Sequence, residues 1–303
     1  MEKRQLGNSD LYVSEVGLGC MSLGTDESHA KSIIDKAIDL GINYLDTADL
    51  YDFGENETLV GKALKHRRKD IILATKVGNR WNENQSGWTW DPSKKYIKEA
   101  VKQSLLRLQT DYIDLYQLHG GTTEDNIDET IEAFEELKNE GVIRHYGISS
   151  IRPNVIKEYL KKSSIISIMM QYSLLDRRPE EWFSTIKNHD VSVIARGPLA
   201  KGLLTEKPIE QKLQTDNYLS YHNEDLKKLF INLEKVNYAD SLTDLAIQYC
   251  LASDVVGAVI PGASKMEQII ENANSTHAES LSQEVYLELQ QIAKLDYYEQ
   301  HRD

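Results

Sequence analysis

Short apolar runs and longer segments of helical period alternate along the chain from residue 15 onward. The runs are EVGLG (15–19), INYLD (42–46), IILAT (71–75), YIDLYQL (112–118), VIRHYGIS (142–149), ISIMM (166–170), VSVIA (191–195) and VVGAVI (255–260). Each has the length and apolar density of a buried strand. Between them, apolar residues recur at helical spacing over 28–40, 55–66, 93–108, 126–139, 153–161 and 179–188, with two further segments at 224–237 and 241–252. Local signals agree: Pro92 and Ser93 open one helix, and Gly41 and Gly141 stand where others must stop. Ahead of the first run, Lys3–Gln5 and Leu11–Val13 flank the turn GNSD and predict a hairpin. Eight strand-then-helix units predict parallel strands, and their number suits a closed (β/α)8 TIM barrel better than an open doubly wound sheet. No linker or low-complexity tract divides the chain, so a single domain over 1–303 is expected.

Composition narrows the function. The 303 residues are 40% hydrophobic and 27% charged, as in an ordinary globular protein. With 35 basic against 48 acidic side chains the formal net charge is -13, which repels nucleic-acid phosphates and anionic lipid. Cys20 and Cys250 lie far apart without histidine companions, so neither a zinc site nor a disulfide framework is expected, and both read as small buried hydrophobes. No window has the apolar length of a membrane span, and the first residues lack the apolar core of a secretion signal, which makes a cytoplasmic location the expectation.

In a barrel of this kind the chemistry sits where strands end. The second run ends in Asp46 and leads to Tyr51, the third ends in Lys76, and the fourth in His119. The fifth ends in Ser149 and Ser150, the sixth runs into Gln171 and Tyr172, and the seventh ends in Arg196. A phenol is a poor acid at neutral pH unless a cation stabilises its phenolate. Lys76 can supply that cation, Asp46 can orient the lysine, and His119 can hydrogen-bond the phenol or a substrate oxygen. Together they would aim a general acid at a carbonyl. Singly, each has a bland reading: a turn cap, a solvated strand end, a satisfied core histidine. After the eighth run, IPGASKMEQIIEN turns through Gly262 into a helix whose free N–H groups, with Ser264 and Lys265, suit a phosphate. An ordinary helix cap is the alternative there.

These residues resemble a known family. YLDTADLY, ATK and DLYQLH are similar to the motifs carrying the Asp, Tyr, Lys and His of the aldo-keto reductases, and EVGLGCMSLG, GVIRHYGISS, MMQYSLLDR, VIARGPLAKGLLT and IPGASKMEQIIEN extend the resemblance over nearly the whole chain. It is strongest to the bacterial general-oxidoreductase branch, whose relatives include potassium-channel beta subunits. The resemblance implies a TIM barrel closed at its bottom by the N-terminal hairpin, with extra helices near the C-terminus. It implies NADPH as cofactor ahead of NADH, held without a Rossmann domain, and reduction of a small-molecule carbonyl. Asp46, Tyr51, Lys76 and His119 become the catalytic set, with Tyr51 the proton donor. Ser149 and Gln171 would meet the nicotinamide carboxamide, with Gly19, Cys20 and Met21 on the nicotinamide side. Gly197, Pro198, Leu199, Gly202 and Leu203 would wrap the pyrophosphate. Gly262, Ser264, Lys265, Gln268, Glu271 and Asn272 would hold the adenosine end.

Departures from the family pattern are informative. Gly120 and Gly121 follow the histidine where relatives carry bulkier residues, which implies a wider or more mobile substrate pocket. Ser150 replaces a common Asn. Arg196 stands where an aromatic ring usually stacks on the nicotinamide; it can stack as a planar guanidinium or turn away to a carboxylate. Arg144 reads as structural, facing the helices. Trp81, Trp88 and Trp90 either wall the substrate or merely cover the barrel mouth. The rival to an enzyme is a cofactor-holding redox sensor. A metal-dependent hydrolase lacks the ligands, since one histidine ends a strand. Substrate identity and oligomeric state are not written in the sequence.

Overall fold

The computed structural model describes residues 1–82, 84–213, 217–236, 238 and 241–302. A hairpin of β1 (Lys3–Gln5) and β2 (Tyr12–Ser14) comes first. The barrel strands follow: β3 (Leu18–Gly19), β4 (Tyr44–Asp46), β5 (Ile72–Val77), then β8 (Ile113–Leu118), β9 (Ile143–Ser149), β10 (Ser167–Gln171), β11 (Ser192–Arg196) and β12 (Val256–Ile260). Between β5 and β8, β6 (Asn79–Trp81) and β7 (Trp88–Trp90) form a second hairpin. The helices are α1 (Glu27–Asp39), α2 (Glu55–Leu64), α3 (Lys94–Leu108), α4 (Ile127–Asn139), α5 (Pro153–Lys162), α6 (Glu180–Lys187), α7 (Ile209–Lys212), α8 (Asn223–Leu233), α9 (Leu242–Leu251), α10 (Met266–Asn274) and α11 (Gln283–Ile292).

Eight parallel strands pair in sequence order from β3 to β12. The sheet closes on itself through parallel bridges Val16↔Val259 and Gly19↔Gly262. This is the (β/α)8 barrel, with every expected strand present. Several helices start where the sequence supplies a cap: Ser93 accepts from the Tyr96 N–H, Asn126 from Glu129 and Ser241 from Asp244. The expected helix over 224–237 is α8, ending at Leu233; its predicted last residue, Asn237, lies outside the described residues.

Two apolar clusters hold the fold. The larger packs the outer faces of the strands against the helices. The smaller fills the barrel interior with Tyr44, Ala74, Leu115, Ile166, Met169, Ile194 and Ala258, and includes Leu6, Leu11 and Val13 from the first hairpin. The hairpin therefore plugs the bottom of the barrel. Arg144 secures it, donating to Asp10 of the hairpin turn and to buried Asp114 of β8, each at 2.7 Å. Arg144 is thus structural, but it faces the plug rather than the helices. With the bottom sealed, the C-terminal strand ends are the open face.

Candidate active site

Residues reach that face by register. Gly19 lies beside Asp46, Asp46 beside Ala74, Lys76 beside Gln117, and Gln171 beside Arg196. A short turn over Tyr51–Gly54 follows β4 and bends back through left-handed Asp52, Phe53 and Gly54, which swings Tyr51 over the rim.

Lys76 is the centre of the cluster, 1% exposed. Its ammonium pairs with Asp46 Oδ1, donates to the Thr47 carbonyl at 2.7 Å and to Tyr51 Oη at 3.2 Å. Gln117 donates to the other Asp46 oxygen at 3.0 Å. Burial works to lower the lysine's pKa, but Asp46 and then Tyr51 outweigh it and the net direction is up. The ammonium stays charged. His119 stands edge-on to Tyr51, ring centroids 6.0 Å apart. Burial, then the charges of Lys76 and Arg196, lower its pKa to about 3, so the imidazole is neutral near pH 7. Its Nδ1 is buried without a partner among the described residues. The four residues read from the sequence are therefore brought together, in an arrangement able to move a proton at one phenol oxygen.

A cleft of about 1220 Å³ runs from this cluster across the mouth. That exceeds a drug-sized pocket and suits a dinucleotide with a small co-substrate. Of the residues expected at the cofactor, Gly19, Cys20, Met21, Ser149, Gln171, Arg196, Gly197, Pro198, Leu199, Gly202, Gly262, Gln268, Glu271 and Asn272 line it. Leu203 does not; its side chain is buried in the larger core. Ser264 and Lys265 stand outside the lining, exposed at the start of α10, where Gln268 Oε1 accepts from both backbone N–H groups at 2.8 and 3.1 Å. The cap that was the alternative reading is thus present. Cys20 is buried and its thiol is pushed up by burial, so it is not a reactive group.

Arg196 donates to Gln171 Oε1 at 3.1 Å and makes no ion pair among the described residues, so it does not turn away to a carboxylate. The tryptophans divide. Trp88 and Trp90 line the cleft. Trp81 instead meets Phe53 edge-on and lies beneath Arg107. Trp90 is seated on two glycines: a Cβ on Gly78 would come within 2.5 Å of the indole and one on Gly120 within 3.2 Å. Its Nε1 donates to Asp125 at 2.9 Å. The room left by Gly120 therefore goes to Trp90, not to a wider pocket. Behind the Tyr51 turn, Asp49 is buried with Oδ1 unpartnered among the described residues. Burial first, then the nearby Glu57 carboxylate, raise its pKa well above the usual range.

The family can now be decided. Residues 15–294 match the aldo/keto reductase family model. The chain belongs to that family. It is 63% identical over 305 aligned residues to the oxidoreductase YqkF of Bacillus subtilis (strain 168), covering all of both chains. Aldo-keto reductase YhdN of the same strain is 32% identical over 289 residues, 89% of this chain and 87% of that one. Among solved structures, the holo form of aldo-keto reductase AKR11C1 from Bacillus halodurans matches with a TM-score of 0.96 at 63% identity, covering 100% of each chain. An aldo-keto reductase is an oxidoreductase that reduces carbonyl groups with a nicotinamide cofactor, and this chain carries that activity class. No helix among the described residues is long and apolar enough to cross a membrane.

Some residues of the cluster and of the cleft were not anticipated. Gln117 lies two positions before His119, so strand alternation puts both on one face, a signal that was available. Lys201, Lys207 and Arg152 carry charge in loops, where the period of the chain says nothing about direction.

Proposed function

We propose that the chain, acting as one unit over 1–303, reduces aldehydes or ketones to alcohols with NADPH, and that Tyr51 donates the proton. The observation that carries this is the buried Lys76 ammonium, held by Asp46 and facing Tyr51 Oη at 3.2 Å. When bound, the nicotinamide supplies a hydride to the carbonyl carbon. Tyr51 then protonates the carbonyl oxygen, and Lys76 stabilises the phenolate left behind. Asp46, fixed by Gln117, holds Lys76 charged and in line. Neutral His119 hydrogen-bonds the substrate oxygen and orients it. Burial of the cluster keeps water from competing for the proton.

Ser149 and Gln171 take the carboxamide, and Arg196, steadied by Gln171, packs on the nicotinamide face. Gly197, Pro198, Leu199 and Gly202 wrap the pyrophosphate, with Lys201 and Lys207 adding charge. Preference for NADPH over NADH rests on Lys265, exposed beside the adenosine end and unpaired among the described residues. The test is oxidation of NADPH and, in parallel, NADH against a panel of aldehydes, ketones, quinones and sugars. Tyr51→Phe should lose about 10²–10⁴-fold in kcat while its affinity for NADPH holds. A variant keeping more than about a tenth of the rate would move the donor role elsewhere. Tight cofactor binding with no appreciable turnover of any carbonyl would favour a redox sensor.

A further inference from the structure

Beyond Tyr51 and His119, the cleft is walled by Leu50, Trp88, Trp90 and Ile151, with the backbone of Gly120 and Gly121 between them. One charge stands on this apolar side, the guanidinium of Arg152 in the loop after β9. It is set from both ends. Its backbone N–H donates to Ser150 Oγ at 3.2 Å, and Nη1 donates to the Gly121 carbonyl at 2.7 Å. Among the described residues it forms no ion pair, although its charge is one of the weaker influences that hold the exposed Glu124 carboxyl below its ordinary range, and only one of its five N–H donors is used by a side-chain bond.

The other charges of the cleft are accounted for. Asp46 and Lys76 pair with each other. Glu206 accepts from the Leu242 N–H and Glu271 from the Thr243 hydroxyl, so both acids are tied to α9. Arg196, Lys201 and Lys207 follow β11, on the side where the proposed function puts the cofactor and its phosphates. Arg152 has no such employment. A chain of net charge -13 repels anions at long range, so a lone oriented guanidinium on an apolar wall acts only at contact. Its geometry suits a carboxylate, which takes two parallel N–H bonds from the fork.

We propose that the substrate is a carbonyl compound bearing a carboxylate on an apolar body, an oxo acid whose carboxylate is bound by Arg152 while its carbonyl lies between Tyr51 and His119. This rests on the reductase reading above. Hydride from the reduced nicotinamide forms the new C–H bond, the C=O π bond breaks, the Tyr51 proton goes to the oxygen, and the carboxylate is unchanged.

The comparison is 4-formylbenzoate against its methyl ester, identical at the reacting carbon. The wild-type chain should favour the acid by about tenfold or more in kcat/KM. In Arg152→Met that preference should vanish while the ester is reduced as before, and Arg152→Lys should keep part of it. A wild-type chain that reduces the ester as well as the acid overturns the proposal. So does an Arg152→Met chain that loses both substrates equally, because Arg152 would then merely brace Gly121. A second readout needs no turnover: affinity of the NADPH-loaded protein for 4-(hydroxymethyl)benzoate against its methyl ester, followed by cofactor fluorescence. If neither aldehyde is reduced but the acid alcohol still binds better through Arg152, the reductase reading fails and carboxylate recognition stands.

Discussion

At the scale of single residues, His119 links the active site to stability. Its pKa is about 3 in the fold against an ordinary 6.5, lowered chiefly by burial. The unfolded chain therefore binds a proton there that the folded chain refuses, and stability falls as pH drops from about 6.5 toward 3. His119→Asn removes that liability. Its stability relative to wild type should improve by up to about 2 kcal/mol between pH 7 and pH 5, read from urea midpoints at the two pH values. An unchanged difference would mean that the ring is protonated in the fold. Arg196 makes a second residue-level prediction. A guanidinium on the nicotinamide face disfavours the cationic ring of NADP⁺ relative to neutral-ringed NADPH. Arg196→Tyr keeps a planar group and drops the charge. The ratio of NADP⁺ to NADPH dissociation constants should fall at low salt, and a constant ratio would remove Arg196 from the ring.

At the scale of elements, the turn over Tyr51–Gly54 rests on a buried ionic cluster. Arg107 of α3 pairs with fully buried Glu57 of α2 at 2.7 Å, lies against Gly54 and stacks over the Trp81 ring. Asp49 lies in the same region as a second acid facing one guanidinium. Its raised pKa means that the fold holds a proton the unfolded chain releases above its ordinary carboxyl range, so Asp49 costs stability increasingly as pH rises. Asp49→Asn should therefore gain in thermal midpoint over wild type more at pH 8 than at pH 5; a gain larger at pH 5 would reverse the sign. Elements also show what the sequence made legible. All eight barrel strands and the first hairpin could be read, because buried parallel strands are near-continuous apolar runs and their helices keep a clean period. The β6–β7 hairpin could not. Its strands have three residues each, NRW and WTW, too short for alternation to register, and Trp88 is 53% exposed. The cluster around Lys76 was legible because Asp46, Lys76 and His119 stand at or next to strand ends and Tyr51 in the turn that follows one. Leu203 and Arg152 lie in loops, where neighbouring positions face core and cleft without a period.

At the scale of the whole molecule, the plug is the tightest joint. Gly7 has φ +54°, its N–H donates to Ser192 Oγ at 2.8 Å, and a Cβ there would lie 2.3 Å from the Ile166 carbonyl oxygen. Gly141 has the same kind of backbone, φ +75°, but nothing within 4 Å of a Cβ. Gly141→Ala should cost about 1–2 kcal/mol from backbone strain alone. Gly7→Ala must also lift the hairpin from β10 and β11, and should cost clearly more in urea unfolding. Equal losses would mean that the plug yields freely.

That joint fixes the order in which the chain can be finished during synthesis. Leu6, Leu11 and Val13 leave the ribosome long before Ile166, Ile194 and Ala258, against which they pack, and Val16 and Gly19 bridge to Val259 and Gly262. At roughly 5–20 residues per second, the opening segment waits on the order of tens of seconds for its partners. Throughout that interval the nascent chain carries an open sheet edge and an uncovered apolar hairpin, so protection from proteases at Leu11 should appear only once β12 has emerged.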